Sequence, residues 1–133
     1  MKEHSLYLER CLQLAKIAAG QGESAVGSVV VLNGKIIGEG SEKSKQLKDV
    51  TRHAEVVAIL DAIQKHGHCS GATLYSNVEP CILCSFVIRH HQLAKVIFSK
   101  PCEQIGGTGP EFNILGTNQI SLWAAAPVIT IIP

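Results

Sequence analysis

The sequence lacks an excess of charge of either sign and lacks any long apolar run. Its 133 residues carry 12 Lys and Arg against 11 Asp and Glu, so the formal net charge is +1 and does not indicate a nucleic-acid or membrane-surface binder. The most apolar segment, 123–133, is too short to span a bilayer and contains prolines. Charges interrupt the N-terminal residues, so no signal-peptide core is present. We therefore expect a cytoplasmic protein that does not bind membranes.

A disulfide framework is also missing. Five cysteines is an odd number, and no secretory signal precedes them. Cys11 and Cys69 are expected to be small buried apolar residues. The three-residue spacing of Cys81 and Cys84 needs another explanation, and the role of Cys102 is left open.

The length of 133 residues predicts one domain, residues 1–133. Hydrophobic periodicity and turn signals predict the element order α-β-β-α-β-α-β-loop-β. Asn33-Gly34 is the strongest short hairpin signal, and the continuous apolar run before it predicts a strand buried on both faces. Strand–helix–strand crossovers favour parallel neighbours covered by helices. We therefore predict a three-layer α/β/α sandwich with a mixed five-stranded sheet. The predicted helices cover 5–21, 52–65 and 80–90, and the strands cover 26–32, 35–38, 72–76, 93–99 and 128–132.

Two short strings of the sequence predict a metal site. Pro80 opens a helix that carries Cys81 and Cys84 in its first turn, where thiolates are favoured by the helix dipole. His53 lies at the start of the preceding helix, and the single strand between the two helices allows both N-termini to lie at one sheet edge. His53, Cys81 and Cys84 would leave one position of a tetrahedral zinc open, which is typical of catalytic zinc.

Glu55, two residues after His53, indicates chemistry at this site. Zinc activates water, and a nearby carboxylate can take the proton and return it to a leaving group. Hydrolytic removal of an amino group from an aromatic ring needs both functions. The alternative is a non-catalytic module whose structural zinc is closed by Cys102, but Glu55 would have no role there.

The strings His53-Ala54-Glu55 and Pro80–Cys84 together resemble the signature of the zinc-dependent cytidine/deoxycytidylate deaminase superfamily. The resemblance covers nearly the whole chain and is strongest to the branch of guanine, cytosine and tRNA adenosine deaminases. It implies a cytidine deaminase-like fold, one Zn²⁺ held by His53, Cys81 and Cys84, and Glu55 as the proton shuttle. It also implies a homodimer, and that the backbone N–H groups of Ala54 and Cys81 help to place the base and the water.

The residues expected to contact substrate depart from that family. Glu42 stands where purine-acting relatives carry an Asn, and a carboxylate only accepts hydrogen bonds. We therefore expect Glu42 to bind ring N–H or amino groups, the alternative being a solvated charge in a lysine-rich loop. Val26 is placed among the substrate contacts. Trp123 is expected to stack on the base, the alternative being core or dimer packing.

The C-terminal third decides the predicted substrate. No Lys or Arg follows Lys100, so the basic C-terminal helix of tRNA adenosine deaminases is missing. Because phosphate contacts dominate RNA affinity, this favours a free small molecule. We predict a zinc-dependent hydrolytic deaminase of a nucleobase, nucleoside or related amino-heterocycle, guanine-like or cytosine-like, that releases ammonia. Lys43, Lys45, Lys48 and Arg52 keep the alternative of a tRNA adenosine deaminase, which makes inosine from adenosine.

Overall fold

A computed structural model describes residues 2–133 and confirms the predicted order of helices and strands. A short 3₁₀ turn, Glu103–Ile105, lies in the loop before the last strand. Within residues 2–133, no helix combines the length and the apolarity needed to cross a membrane. The elements are α1 (Lys2–Gly20), β1 (Gly27–Leu32), β2 (Lys35–Ser41), α2 (Ala54–His66), β3 (Thr73–Val78), α3 (Ile82–His90), β4 (Lys95–Lys100) and β5 (Val128–Ile131).

The five strands form one mixed sheet in the order β2-β1-β3-β4-β5. β1 runs antiparallel to β2 and β3, whereas β3, β4 and β5 are parallel. The β1–β2 hairpin turns at Asn33 and Gly34, whose φ angles of 52° and 75° are those of a type I′ turn. The predicted mixed five-stranded sheet is confirmed.

Helices cover both faces of the sheet, as the apolar run of β1 predicts. Val29 and Val31 face α1 and pack in one cluster with Leu8, whereas Val30 faces the other side and packs with Ile59 of α2. Successive side chains of a strand point to opposite faces, so one apolar run serves two cores. The three layers are therefore α1, the sheet, and α2 with α3.

A close approach between β2 and α2 fixes where α2 begins. A Cβ added to Gly40 would lie 2.4 Å from the carbonyl oxygen of Ala54, so a side chain at this position would displace the first turn of α2. Glycine lets the helix rest directly on the strand. This contact holds the N-terminus of α2 at the edge of the sheet where the site lies.

The long segment between β4 and β5 is held by a buried arginine of α3. The Arg89 guanidinium donates to the carbonyl oxygens of Ile114, Leu115, Thr117 and Ala124 at 2.7–3.3 Å. These four carbonyls satisfy a cation that is almost completely buried. Arg89 therefore gives the irregular segment a fixed path beside α3.

Candidate active site

The N-termini of α2 and α3 bring three potential metal ligands together. His53 is the N-cap of α2 and Cys81 is the N-cap of α3; both have extended backbone, and neither uses its side chain to cap its helix. The imidazole and the thiol are therefore free to face each other. The predicted start of α3 at Pro80 is two residues early, since Ile82 is its first helical residue. Cys84 lies one turn further on and is completely buried.

The three ligand atoms form a triangle that fits zinc. His53 Nδ1 lies 3.3 Å from Cys81 Sγ and 3.4 Å from Cys84 Sγ, and the two sulfurs are 3.6 Å apart. Zn–S bonds of about 2.3 Å and a Zn–N bond of about 2.0 Å at tetrahedral angles separate sulfur and nitrogen by about 3.5 Å and two sulfurs by about 3.8 Å. The observed edges are within a few tenths of an ångström of these values.

Cys102 does not belong to this triangle. Within residues 2–133, the only group of His, Cys, Asp and Glu ligand atoms that all lie within 4.8 Å of one another consists of His53, Cys81 and Cys84. Cys102 is half-buried and packs at the edge of the apolar cluster that Val56 forms with Cys81 and Cys84. The geometry therefore offers three ligands and disfavours a closed site with Cys102 as the fourth.

The surroundings of the triangle stabilise a thiolate. Hydrogen bonds with Cys84 and with His53 outweigh the effect of burial and lower the pKa of Cys81 to about 4. The same bond to Cys81 raises the pKa of His53 to about 9, and the pKa of Cys84 is raised by its bond to Cys81 and by burial. Ligands bind metal in their deprotonated forms, so Cys81 is ready to bind zinc, whereas His53 and Cys84 would release their protons on binding it.

Glu55 lies in the first turn of α2 beside the triangle and is only 4% exposed. Burial raises the pKa of its carboxyl to about 8, and the negative charges of Cys81 and Glu42 add to this, while its backbone hydrogen bond and His53 act in the opposite direction. A carboxyl in such surroundings can hold a proton near neutral pH.

A cavity of about 210 Å³ opens beside the triangle, and most of the residues predicted for the site line it. Glu79, Cys102 and Ile105 form its far wall. Glu42, Val26 and Glu55 line it together with the potential ligands His53 and Cys81. The fold thus gathers residues from five separate segments around one small space.

Glu42 is not a solvated loop charge, because it is only 8% exposed. Its Oε1 accepts a hydrogen bond from the backbone N–H of Ala54 at 3.1 Å, and its Oε2 accepts one from the Ser44 hydroxyl at 3.0 Å. The alternative of a solvated charge is therefore wrong. The Ala54 N–H, expected to face the substrate, is bound to Glu42 instead.

Trp123 does not reach the cavity. Its indole N–H donates to Nδ1 of His90 at 3.0 Å, its ring packs edge-on against Phe86, and the Arg89 guanidinium lies 4.9 Å from its centroid. These contacts place it at the C-terminal end of α3, far along the helix from Cys81. The expected stacking on the base finds no support in the structure; Trp123 packs, half-buried, against the C-terminal part of α3.

Glu79 lines the cavity although it was not among the residues predicted for the site. Its buried carboxylate accepts hydrogen bonds from the Cys102 N–H at 3.1 Å, the Thr108 N–H at 3.0 Å and the Thr108 hydroxyl at 2.6 Å. Glu79 thereby ties the loop after β4 to the start of α3 and holds the far wall of the cavity. A carboxylate directly before Pro80 was the available signal.

A sequence profile described as the cytidine and deoxycytidylate deaminase zinc-binding region matches residues 1–100. The chain belongs to this deaminase family. It is accordingly a zinc-dependent hydrolytic deaminase that acts on a C–N bond, and its three-layer architecture is the cytidine deaminase-like fold. The family and fold predictions are confirmed, as is zinc as the cofactor.

Individual relatives within the family are similar to this chain over most of its length. The chain is 39% identical over 111 residues to a tRNA-specific adenosine deaminase of Aquifex aeolicus, covering 82% of this chain and 74% of that one. A structure from a study of A-to-I editing by tRNA:A34 deaminases at the wobble position superposes with a TM-score of 0.86 and 27% identity, covering 97% and 98% of the two chains. The guanine deaminase of Bacillus subtilis gives a TM-score of 0.70 and 32% identity over 74% of this chain and 64% of that one.

These relatives correct the predicted substrate. The chain resembles tRNA-specific adenosine deaminases over more of its length, and with a higher TM-score, than it resembles the guanine deaminase. The prediction of a free nucleobase or nucleoside, and with it the argument against a nucleic-acid partner, is therefore wrong. It relied on the missing basic residues after Lys100, which say nothing about cations elsewhere in the chain.

Proposed function

We propose that this chain is a tRNA adenosine deaminase, which hydrolyses adenosine to inosine in a tRNA. The observation that carries the proposal is the match over 97% of the chain to a structure from the study of tRNA:A34 deaminases, joined to 39% identity with the Aquifex aeolicus protein. The cavity beside His53 and Glu55 supports it, since a space of about 210 Å³ suits one extruded base.

In this proposal His53, Cys81 and Cys84 hold the zinc through Nδ1 and two sulfurs. Zinc, when bound there, makes water reactive at neutral pH. The protein's part is to fix the metal beside the cavity. Both N-caps lie on helices packed against the sheet, so the ligands are held by rigid elements.

Glu55 moves the protons. Deamination adds the oxygen of water to C6 of adenine, breaks the C6–N6 bond and releases ammonia. The buried Glu55 carboxylate takes one proton from the attacking water and delivers it to N1 of the ring. It then takes the second proton, from the hydroxyl group now on C6, and delivers it to the departing amine. Glu55 is only 4% exposed, so bulk solvent has little access to its carboxyl group.

Glu42 and Val26 are proposed substrate contacts because both line the cavity. The Glu42 oxygens have lone pairs beyond those used by Ala54 and Ser44, so they can accept from the target nucleotide.

The homodimer and the cytoplasmic location stay predictions. Light scattering on the purified protein would measure its oligomeric state.

The experiment is a deamination assay with zinc-loaded protein and a tRNA anticodon stem-loop that carries adenosine at the wobble position. Mass spectrometry of the digested RNA is expected to show inosine at that position. A stem-loop with guanosine there is the matched control and should be unchanged. Absence of inosine, with one zinc per chain verified, would overturn the proposal.

A further inference from the structure

We propose that residues 43–52, the basic loop, form the surface that contacts the phosphates of the nucleic-acid substrate. The inference rests on the proposed function and adds the place where the strand lies. The loop holds four of the chain's 12 Lys and Arg residues but only one of its 11 Asp and Glu residues, Asp49. In a chain with a net charge of +1 this is a marked concentration of positive charge.

The basic loop begins and ends at the cavity. Glu42 precedes it and His53 follows it, and both line the cavity. A hydrogen bond of 3.0 Å from the Lys43 N–H to the Arg52 carbonyl closes the loop at its base. A nucleotide whose base enters the cavity therefore has its own phosphates within reach of this loop.

The loop is held in one shape before any ligand arrives. Within it, the N–H groups of Leu47 and Asp49 donate to the carbonyls of Lys43 and Ser44. From outside, the buried Glu23 carboxylate accepts from the N–H groups of Lys45 at 3.0 Å and Gln46 at 2.7 Å. A cationic surface that is already ordered loses less entropy on binding than a mobile one.

Two of its cations are free to bind phosphate. Lys45 and Lys48 are exposed and take part in none of the salt bridges found within residues 2–133, whereas Arg52 is paired with Asp49 at 3.3 Å. The Lys45 ammonium has a 3.3 Å contact with the Gly22 carbonyl and lies close enough to the Glu23 carboxylate to attract it, but it makes no salt bridge with that carboxylate. Exposed ammonium groups of this kind release counterions when they meet phosphate.

The other side of the cavity is unsuitable for phosphates. Ile105 separates the cavity from a larger space of about 540 Å³, which is lined by Glu103 and Glu111 and by no Lys or Arg. No cation follows Lys100 anywhere in the sequence. A polyanion entering the site therefore meets attraction on one side and repulsion on the other, so the strand is directed over the basic loop.

The test compares the double variant Lys45→Gln/Lys48→Gln with Lys35→Gln/Lys95→Gln. Both pairs lose two exposed charges, but Lys35 and Lys95 begin β2 and β4 at the end of the sheet opposite the cavity. Binding of the zinc-loaded proteins to the adenosine stem-loop is measured from 50 to 300 mM salt. The slope of log K against log salt is expected to fall by about 0.7 for each lost phosphate contact in the loop variant, and to be unchanged in the control.

If the loop variant and the unaltered protein have equal slopes, the basic loop does not contact the phosphates and the inference is wrong. The proposed function still holds in that case, provided that the unaltered protein forms inosine. If the unaltered protein neither binds nor deaminates the stem-loop, both proposals fail. A slope that falls equally in both variants shows long-range attraction without a contact surface, and it also overturns the inference.

Discussion

The carboxylate of Glu42 accepts a hydrogen bond of 3.1 Å from the backbone N–H of Ala54 while lining the cavity. This N–H is the first of α2, and the side chain of the N-cap residue, His53, does not accept a hydrogen bond from the helix. Glu42 therefore stabilises the start of α2 from outside the helix, where a negative charge is favourable. One side chain thus both fixes the start of the helix that follows His53 and lines the cavity, where we propose that it contacts the substrate.

Glu42→Gln is expected to raise KM for the stem-loop about tenfold or more, because a hydrogen bond to a charged acceptor contributes about 1.5–3 kcal/mol. Steady-state kinetics on zinc-loaded protein measure this. The control is Ser44→Ala, which removes a donor to the same carboxylate but leaves the charge. An unchanged KM for Glu42→Gln would limit Glu42 to capping α2.

Cys102→Ser is expected to retain one zinc per chain, whereas Cys81→Ser and Cys84→Ser are expected to lose most of it. The reason is that the Cys102 sulfur lies outside the triangle of ligand atoms. Elemental analysis after dialysis against a weak chelator measures the zinc content. If Cys102→Ser loses zinc as readily as the other two variants, the site is closed and the three-ligand geometry is incorrect.

Glu79→Gln is expected to destabilise the far wall of the cavity, because an amide nitrogen would meet either the Cys102 N–H or the two Thr108 donors. A buried donor left without an acceptor costs about 1–3 kcal/mol. Hydrogen exchange at Cys102 and Thr108 should accelerate while exchange in β1 stays slow. Thr108→Ser keeps both donors and serves as the control; equal protection in Glu79→Gln and the unaltered protein would show that the wall does not depend on Glu79.

Local signals in the sequence were sufficient to predict the fold. The φ angles of Asn33 and Gly34 are those that the Asn-Gly pair requires, and the run through Val29 and Val30 is buried on both faces as expected. Errors are confined to element ends, such as α1 beginning at Lys2 and α3 beginning at Ile82. Ends depend on tertiary contacts like that between Glu42 and Ala54, which no local pattern contains.

The site was predictable where spacing encodes geometry and unpredictable where long-range contacts decide. Cys81 and Cys84 share a helical turn, so their proximity follows from the sequence. Trp123 was misplaced because its partners, Phe86, Arg89 and His90, depend on the path of the segment after β4. Glu79 was missed as a site residue for the same reason, since its three donors lie more than 20 residues away.

The substrate error has a physical cause in the distribution of charge. The prediction of a free small molecule rested on the absence of cations after Lys100, although net charge and tail composition do not locate a binding surface. The four cations of residues 43–52 lie in the segment between Glu42 and His53, and both of these flanking residues line the cavity. Under the proposed function, we expect the position of these cations relative to the cavity to matter more than the net charge of the chain.

The most direct test of the account is deamination by Glu55→Gln with the zinc content measured on the same sample. The variant is expected to keep one zinc per chain and to lose inosine formation by about 10²-fold or more, since an amide cannot carry the proton. Glu9→Gln, an exposed acid on α1, should behave like the unaltered protein. Inosine formation at the normal rate by zinc-loaded Glu55→Gln would contradict the assignment of Glu55 as the proton carrier.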